Sequence, residues 1–317
     1  MHPKSPQKIA AVIFNPLAGR GKASTVARKT KRSLEQAHWY VIETIASEYS
    51  GHIENTLAAQ VGQKVQLVVI IGGDGTLREL VSGLRQAQLK PEIAFIPMGN
   101  ANVVARELNI PLQTNKAIEL LANSTVKQVD IGVLRQDQQE DLIFLAMFEI
   151  GFSAKIVTIV DRLRNGALKN LYRLWGDLVY AIAGAMALKG LSNRTFQTKI
   201  DGVTEYKSST HGVIANMQTY AKGWSLTPDA LHDDGQLDTA ISQKSSILTA
   251  LITLMAASRK RKLKPSLMKY QRAKEIEISS DCTLFVQVDG DPIHFSGQAH
   301  ISVEQAAFLI HTPKKDE

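Results

Sequence analysis

The sequence predicts two domains: an α/β domain with a parallel sheet at residues 1–130, then a mainly antiparallel β-rich domain at residues 131–298. The chain has 317 residues, more than one hydrophobic core usually accommodates. Up to residue 130, apolar runs alternate with helix-forming segments, a pattern typical of parallel strands joined by helices. Beyond it, strand-like runs follow one another with loops between them. The apolar segment at 299–317 is a candidate to complete the first domain.

The elements of the first domain follow a strand–helix alternation that favours right-handed crossovers. The predicted strands are Ile9–Asn15, Trp39–Ile45, Leu67–Ile71 and Pro91–Ile96. The predicted helices are Ser24–Gln36, His52–Gln60, a helix carrying Leu77, Leu80, Val81 and Leu84, and Val103–Leu108 before Pro111. The third strand is apolar throughout, as expected of a strand buried on both faces.

The second domain has one predicted helical region, between Ile156 and Leu191. Its predicted strands are Leu142–Glu149, Phe196–Ile200, Gly212–Met217, Gln236–Ile241, Glu275–Ile278 and Thr283–Val288. Such a succession indicates antiparallel pairing.

Charge and cysteine content restrict the class of protein. Lys and Arg outnumber Asp and Glu by 37 to 30, giving a net charge of +7, which favours anionic partners. Aromatic residues are not interleaved with a basic patch, so nucleic acid is not an expected partner. The single cysteine, Cys282, cannot form an intrachain disulfide, which favours a reducing compartment. The start lacks an apolar signal core, and the apolar runs Leu178–Leu188 and Ile247–Ala257 are shorter than the about 20 residues of a membrane span. We therefore expect a cytoplasmic protein, soluble or peripheral at the membrane.

The strongest local signal is the turn Gly72-Gly73-Asp74-Gly75-Thr76 between a strand and a helix. Its three glycines permit positive φ and close approach of a ligand, and Thr76 is a candidate helix cap. A helix N-terminus behind such a turn suits a phosphate. Asp74 would repel a bare anion, so it indicates a Mg²⁺ ion or a reacting hydroxyl.

Three loops at strand ends contain glycine: residues 15–22, 72–76 and 99–102. Ligands bind at the carboxyl ends of strands in open α/β sheets, so we expect these loops to converge. Neither the Walker A pattern nor the G-x-G-x-x-G fingerprint occurs at these loops, so a nucleotide would be held differently.

Ordered motifs then resemble a known family. They are Asn15-Pro16-x-x-Gly19, Gly72-Gly73-Asp74-Gly75-Thr76-x-x-Glu79, Pro97-x-Gly99-x-x-Asn102-x-x-Ala105-Arg106, Gly151-Phe152, Pro228-x-Ala230-x-x-x-Asp234-Gly235-x-Leu237-Asp238 and Val288-Asp289-Gly290-Asp291. Together they resemble the diacylglycerol kinase catalytic family, which includes sphingosine, ceramide and bacterial lipid kinases. The resemblance covers nearly the whole chain. It implies an enzyme that uses ATP and Mg²⁺ to phosphorylate the hydroxyl of a lipid substrate, with an NAD kinase- or phosphofructokinase-like first domain.

The resemblance also implies the site residues. The ATP contacts would be Asn15, Pro16, Leu17, Ala18, Gly19, Thr44 on the loop after the second strand, Gly72, Gly73, Asp74, Gly75, Thr76, Glu79, Gly99, Asn100 and Asn102. Asp74 would handle the metal of the nucleotide, and Asp289 or Asp291 would be the general base. A structural Mg²⁺ would be bound by Asp234 and the carbonyls of Leu231 and Gln236.

The sequence departs from the family pattern at Arg78, Asn100 and Val103, and at residues 221–224. The alternatives that remain open are an NAD kinase-like enzyme and a nucleotide- or lipid-binding regulator without turnover. The identity of the lipid is also open, and the oligomeric state could be a homodimer.

Two basic segments are candidates for contact with an anionic membrane surface. One is a helix with Arg162, Arg164, Lys169 and Arg173 beside Leu163, Leu168, Leu171, Leu174 and Trp175. The other is residues 259–264. Both patterns are equally typical of solvated helix faces.

Overall fold

A computed structural model describes residues 8–137, 139–165, 182–184, 186–187, 194–220, 223–244 and 246–314. The chain divides into two compact units, residues 1–130 with 305–317 and residues 131–304. The sequence predicts a division at residue 130 and a returning segment at 299–317.

The first unit contains a parallel sheet, as predicted. Its strands are β1 (Lys8–Phe14), β2 (Trp39–Ala46), β3 (Leu67–Gly72) and β4 (Glu92–Pro97). They lie in the order β2-β1-β3-β4, and every neighbouring pair is parallel. All six residues of the central strand β3 are buried. At the end of the chain, Leu309 and Ile310 pair in parallel with β4 and extend this sheet.

The helices of the first unit cover the sheet. They are α1 (Ala18–Gly21), α2 (Ala23–Gln36), α3 (Ala58–Gly62), α4 (Asp74–Gln86), α5 (Val103–Glu107) and α6 (Thr114–Glu119). A π-helical turn, Ile53–Leu57, precedes α3, and a 3-10 turn, Leu120–Ala122, follows α6. The predicted helix His52–Gln60 is therefore divided at its middle. Gly83 of α4 lies so close to this turn that a Cβ there would be 2.4 Å from the Glu54 carbonyl oxygen.

The second unit is mainly antiparallel, as predicted. Its strands are β6 (Leu142–Phe144), β7 (Met147–Ile150), β8 (Phe196–Ile200), β9 (Thr204–Ser209), β10 (His211–Ala215), β11 (Leu237–Ser242), β12 (Lys269–Ala273) and β13 (Glu275–Val288). Two further strands, β5 (Ser124–Gln136) and β14 (Asp291–Pro313), have residues in both units. The neighbours β12-β11-β10-β7-β13-β14 pair antiparallel, and β13 also pairs with β8. Phe144, Phe148 and Phe295 are fully buried in its core.

Two helices of the second unit are described over their length, α7 (Phe152–Asn165) and α8 (Ile247–Ser258). The first begins four residues before the predicted Ile156. Lys169, Arg173, Leu168, Leu171, Leu174 and Trp175 of the predicted basic helix, and residues 221 and 222 of the departure at 221–224, lie outside the described residues. Within the part of the chain that is described, no helix has the length and apolar character needed to span a membrane.

Candidate active site

Three loops meet at the carboxyl ends of β1, β3 and β4, as the sequence predicts. The Gly19 N–H donates to the Met98 carbonyl at 3.2 Å, and the Met98 N–H donates to the Gly72 carbonyl at 2.6 Å. Gly73 and Gly99 approach so closely that a Cβ on Gly99 would lie 2.6 Å from the Gly73 Cα. The loops therefore hold one another through main-chain atoms, and a side chain at this contact would force them apart.

The loop after β1 is shaped by Asn15. The Leu17 N–H donates to the Asn15 side-chain oxygen at 2.9 Å, and the Ala18 N–H donates to the Asn15 carbonyl at 3.0 Å. The chain then turns through left-handed φ angles at Gly19 and Arg20, 58° and 57°. Pro16 and Leu17 are exposed on this loop.

The turn after β3 differs from the expectation in two respects. Helix α4 begins at Asp74 with Gly73 as its N-cap, so Thr76 is inside the first turn and the predicted Thr76 cap is wrong. Gly72, Gly73 and Gly75 all lack a positive φ. Glycine is required here by space, since a Cβ on Gly72 would lie 2.5 Å from the Thr76 hydroxyl oxygen. The N-cap Gly73 has no side chain to accept from the first N–H groups of α4, and helix ends of this kind favour anions.

Asp74 bonds to the next loop along the edge of the sheet. Its carboxylate accepts a hydrogen bond of 3.1 Å from the Val104 N–H, in the first turn of α5. This hydrogen bond joins the turn after β3 to the first turn of α5. Val103, one of the departures from the family pattern, is the first residue of the same helix.

Asn102 shapes the turn after β4. Its side chain accepts from the Gly99 N–H at 2.9 Å and donates to the Gly99 carbonyl at 3.0 Å. This closed pair of bonds holds Asn102 at a left-handed φ of 48° and buries it. Asn100 is exposed on the same turn.

Two of the expected nucleotide contacts lie apart from these loops. Thr44 is inside β2, opposite Val12, and not on the loop that follows the strand, so the predicted position is wrong. The strand continues to Ala46 because its pairing with β1 continues. Glu79 lies on α4 and faces the segment after β2. Burial raises the pKa of its carboxyl, and the charge of Glu54 raises it further. Hydrogen bonds with the backbone of Gly51 and Ile53 act in the opposite direction.

The second unit places Asp289 and Gly290 in a two-residue turn between β13 and β14. Both have positive φ, 49° and 92°, as such hairpin turns require. The Asp289 carboxylate accepts hydrogen bonds from three successive N–H groups, those of Leu145 at 2.8 Å, Ala146 at 2.9 Å and Met147 at 2.9 Å. Leu145 and Ala146 lie between β6 and β7, and Met147 is the first residue of β7. The predicted strand Leu142–Glu149 is therefore two strands. Asp291, two residues on, is exposed.

A buried acid supports this turn, and sequence reasoning missed it. Glu149 is 2% exposed and lies opposite Gln287 in the β7–β13 pair. Gln287 donates to the Glu149 carboxylate at 2.6 Å and accepts from the Gly290 N–H at 2.5 Å. Burial raises the pKa of Glu149, against hydrogen bonds from Gln287 and Ser153. The sequence shows a polar residue in each of two short apolar runs, Glu149 after Phe148 and Gln287 between Val286 and Val288, and no local pattern that joins them.

In the loop predicted to bind magnesium, the negative charge of Asp234 is neutralised by Arg272. One oxygen of Asp234 accepts from the Gln236 N–H at 3.1 Å, and the other pairs with the Arg272 guanidinium, which also lies 3.9 Å from Asp238. Among the described residues, no group of three or more His, Cys, Asp or Glu side chains could hold a metal ion. The predicted ligand set has one carboxylate, that of Asp234, and two main-chain carbonyls, those of Leu231 and Gln236, and it stays a prediction.

The fold and the loop cluster together define a class. A parallel α/β unit with glycine loops and an uncapped helix N-terminus at the carboxyl edge of its sheet is the architecture of a nucleotide-binding domain. It is followed by an antiparallel β-rich unit.

Comparisons with known proteins identify the family. The family model of the diacylglycerol kinase catalytic domain matches residues 9–134, and that of the YegS C-terminal NAD kinase beta sandwich-like domain matches residues 150–306. The chain belongs to the diacylglycerol kinase family, a family of kinases.

Curated relatives match over most of their length. The chain is 27% identical to a diacylglycerol kinase of Staphylococcus carnosus over 315 residues, 97% of this chain and 96% of that protein. It is 26% identical to one of Staphylococcus haemolyticus over 287 residues, 90% and 82% of the two chains. A crystal structure of a diacylglycerol kinase from Bacillus anthracis is similar with a TM-score of 0.72 and 21% identity, covering 97% of each chain. That structural likeness concerns the fold alone.

Proposed function

We propose that this protein is an ATP-dependent lipid kinase that transfers the γ-phosphate of ATP to a hydroxyl of a diacylglycerol-like or sphingoid-like lipid. The observation that carries the proposal is the contact between Gly73 and Gly99 beside the uncapped N-terminus of α4. Main-chain N–H groups at such a place bind phosphate without competing side chains. Family membership supplies the reaction class.

The nucleotide would be oriented by the three loops of the first unit. Phosphoryl transfer depends mainly on positioning and on neutralising charge, which rigid main-chain loops supply. Mg²⁺ enters with ATP as part of the substrate and would neutralise charge on the transferred phosphoryl group. Asp74 is the acid of the loop cluster that would hold it, in addition to its bond to the Val104 N–H. The other ATP contacts that the family resemblance implies are also part of this proposal.

The two acids of the β13–β14 turn have different roles in this proposal. Three N–H donors stabilise the ionised form of Asp289 and fix its orientation, so it is a weak proton acceptor. Asp291 is exposed and is the proposed base. In the reaction, the lipid oxygen forms a bond to the γ-phosphorus while the bond from that phosphorus to the bridging oxygen breaks. ADP leaves, and the hydroxyl proton passes to the Asp291 carboxylate.

One face of α8 fits the expected contact with an anionic membrane surface. Ile247, Leu248, Leu251 and Met255 are exposed on this helix, and Leu248 is 68% exposed. The opposite face carries the buried Thr249, Ala250, Thr253 and Ala257. Arg259, Lys260, Arg261 and Lys262 follow at the C-terminal end and are exposed. An apolar stripe next to a basic cluster is suited to the interface of an acidic bilayer.

The test is a transfer assay with the purified full chain. Radiolabelled ATP and Mg²⁺ are supplied with a mixed lipid extract in one reaction and with NAD in another. Label in a lipid product supports the proposal, and fractionation of that product identifies the acceptor. Label in NAD without any labelled lipid would contradict the proposal and identify the protein as an NAD kinase. A thermal shift with ATP but no labelled product would make the protein a regulator.

A further inference from the structure

Two exposed aromatic residues lie at opposite ends of β2. Tyr40, the second residue of the strand, is 54% exposed, and Tyr49, three residues after the strand ends, is 57% exposed. Because β1, β2, β3 and β4 are parallel, the end of β2 lies at the same edge of the sheet as the three glycine loops. Of the two tyrosines, Tyr49 is therefore the one on the side of the loop cluster, and Tyr40 lies toward the opposite edge.

Main-chain hydrogen bonds align the ends of β2, β1 and β3. The Ser47 N–H, directly after β2, donates to the Phe14 carbonyl of β1 at 2.9 Å. The Asn15 N–H, directly after β1, donates to the Ile71 carbonyl of β3 at 3.0 Å. Neighbouring strands are about 4.8 Å apart, so the end of β2 lies about 10 Å from the end of β3. In a nucleoside triphosphate, the ribose and the α-phosphate separate the base from the β-phosphate, and this spacer can bridge such a gap.

The turn after β2 holds the Tyr49 ring in a defined place. The ring stacks on the His52 imidazole, with 4.7 Å between the centroids and an interplanar angle of 20°. The His52 Nδ1 accepts a hydrogen bond from the Glu48 N–H at 3.1 Å, and the His52 N–H donates to the Tyr49 carbonyl at 3.2 Å. Tyr49 is more than half exposed although His52 covers one face of its ring, so the ring can stack on a second planar group.

Side-chain hydrogen bonds connect this turn to α4, the helix whose N-terminus lies in the loop cluster. The Glu79 carboxylate of α4 accepts hydrogen bonds from the backbone of Gly51 and Ile53. The Ser82 hydroxyl, one helical turn further on, donates to the Glu54 carboxylate at 2.5 Å. These bonds fix the turn after β2 relative to α4. The Tyr49 ring and the N-terminus of α4 therefore keep a constant separation, and Glu79 acts as a positioning residue.

We propose that Tyr49 is the stacking surface for the base of the bound nucleotide, while the N-terminus of α4 binds its phosphates. This inference rests on the proposed ATP-dependent function and adds a residue to the contacts that the family resemblance implies. An aromatic ring stacks on any base, and the larger π surface of a purine gains more than that of a pyrimidine. Tyr49 should therefore favour purine over pyrimidine nucleoside triphosphates, without distinguishing adenine from guanine.

The test measures nucleotide binding without lipid, so it is independent of turnover. Isothermal titration with Mg²⁺ compares ATP, CTP and inorganic tripolyphosphate on the purified full chain. Tyr49→Ala should weaken ATP binding by about fivefold or more, the lower end of what one base–aromatic stack contributes. Binding of tripolyphosphate should change by less than about twofold, because that ligand has no base to stack. The preference for ATP over CTP should become smaller in the same variant.

Two control variants connect the effect to stacking. Tyr49→Phe keeps the ring, and Tyr40→Ala removes a ring of similar exposure at the other end of β2, so both should bind ATP as the wild type does. Thermal melts check that each variant is folded. Unchanged ATP affinity in Tyr49→Ala, or equal losses for ATP and tripolyphosphate, would overturn this inference alone. A wild type that does not bind ATP would overturn the proposed function, and this inference with it.

Discussion

The loop cluster of the first unit and the acid turn of the second unit are built by opposite means. In the loop cluster, main-chain groups at neighbouring strand ends contact each other where only glycine fits, as at Gly73 and Gly99. In the acid turn, the side chains of Asp289 and Gln287 bond to residues more than a hundred positions earlier. The glycines of the strand-end loops are therefore visible in the local sequence, whereas the partners of the acid turn appear only in the tertiary structure.

The largest expected effect is on kcat, and it distinguishes Asp291 from Asp289. Asp291→Asn should lower kcat by about 10²–10⁴-fold, the usual contribution of a general base, without changing the melting temperature. Asp289→Asn should lower both, because three N–H groups lose a charged acceptor, at a cost of about 2–4 kcal/mol in unfolding free energy. Steady-state kinetics and thermal melts are measured on each variant. Full activity in Asp291→Asn would mean that another group accepts the hydroxyl proton.

The next effect tests whether space alone requires glycine in the loop cluster. Gly99→Ala places a Cβ 2.6 Å from the Gly73 Cα, so we expect about tenfold weaker ATP binding and a melting temperature lower by several degrees. In Gly75→Ala, the added Cβ meets no atom within 4 Å, and the helix position should gain stability. ATP titration and thermal melts compare the two. A stable Gly99→Ala variant with unchanged affinity would contradict the steric account.

A smaller effect concerns the apolar face of α8. Leu251→Gln combined with Met255→Gln should reduce vesicle binding several-fold, since each loses about 1–2 kcal/mol of apolar burial in the bilayer. Activity on a short-chain lipid dispersed as monomers should stay unchanged. Val203→Gln removes an exposed apolar side chain elsewhere in the unit and is the matched control. Equal vesicle binding by all three proteins would exclude α8 as the contact.

The smallest effect is a pH dependence from Glu149. Burial raises its pKa above 4.5 in the folded state, so the folded protein keeps a proton that the unfolded chain loses as the pH rises. The wild type should therefore lose stability above pH 4.5, up to the folded pKa. Glu149→Gln removes this loss, so its stability relative to the wild type should increase as the pH rises above 4.5. Glu205→Gln, an exposed acid on β9, should follow the wild type. A constant difference across pH for Glu149→Gln would contradict the assignment.

The same contrast explains which features the sequence predicts. The parallel strands β1, β3 and β4 are apolar runs, and the sequence locates each within one or two residues. Strands β9 and β12 are missed because they are largely polar, with sequences TEYKSS and KYQRA. Their assignment comes from pairing with β8 and β11, which no local pattern contains.

The candidate site divides in the same way. The convergence of the three loops follows from strand ends that share an edge, and the sequence predicts it. The bond from Asp74 to Val104, the position of Thr44 inside β2 and the pairing of Asp234 with Arg272 depend on register and on neighbours from distant segments. Glu149 was missed because a single acid in a strand has no local signature; its meaning comes from Gln287 on the opposing strand.

The bonds of Asp289 to residues 145–147 also bear on how the protein folds. They close a loop of more than 140 residues, and contacts of such sequence separation form late. The glycine loops join segments fewer than about 80 residues apart and can order earlier. A partly folded chain would therefore order the glycine loops before the acid turn. Under the proposed function, such an intermediate would bind ATP without transferring phosphate.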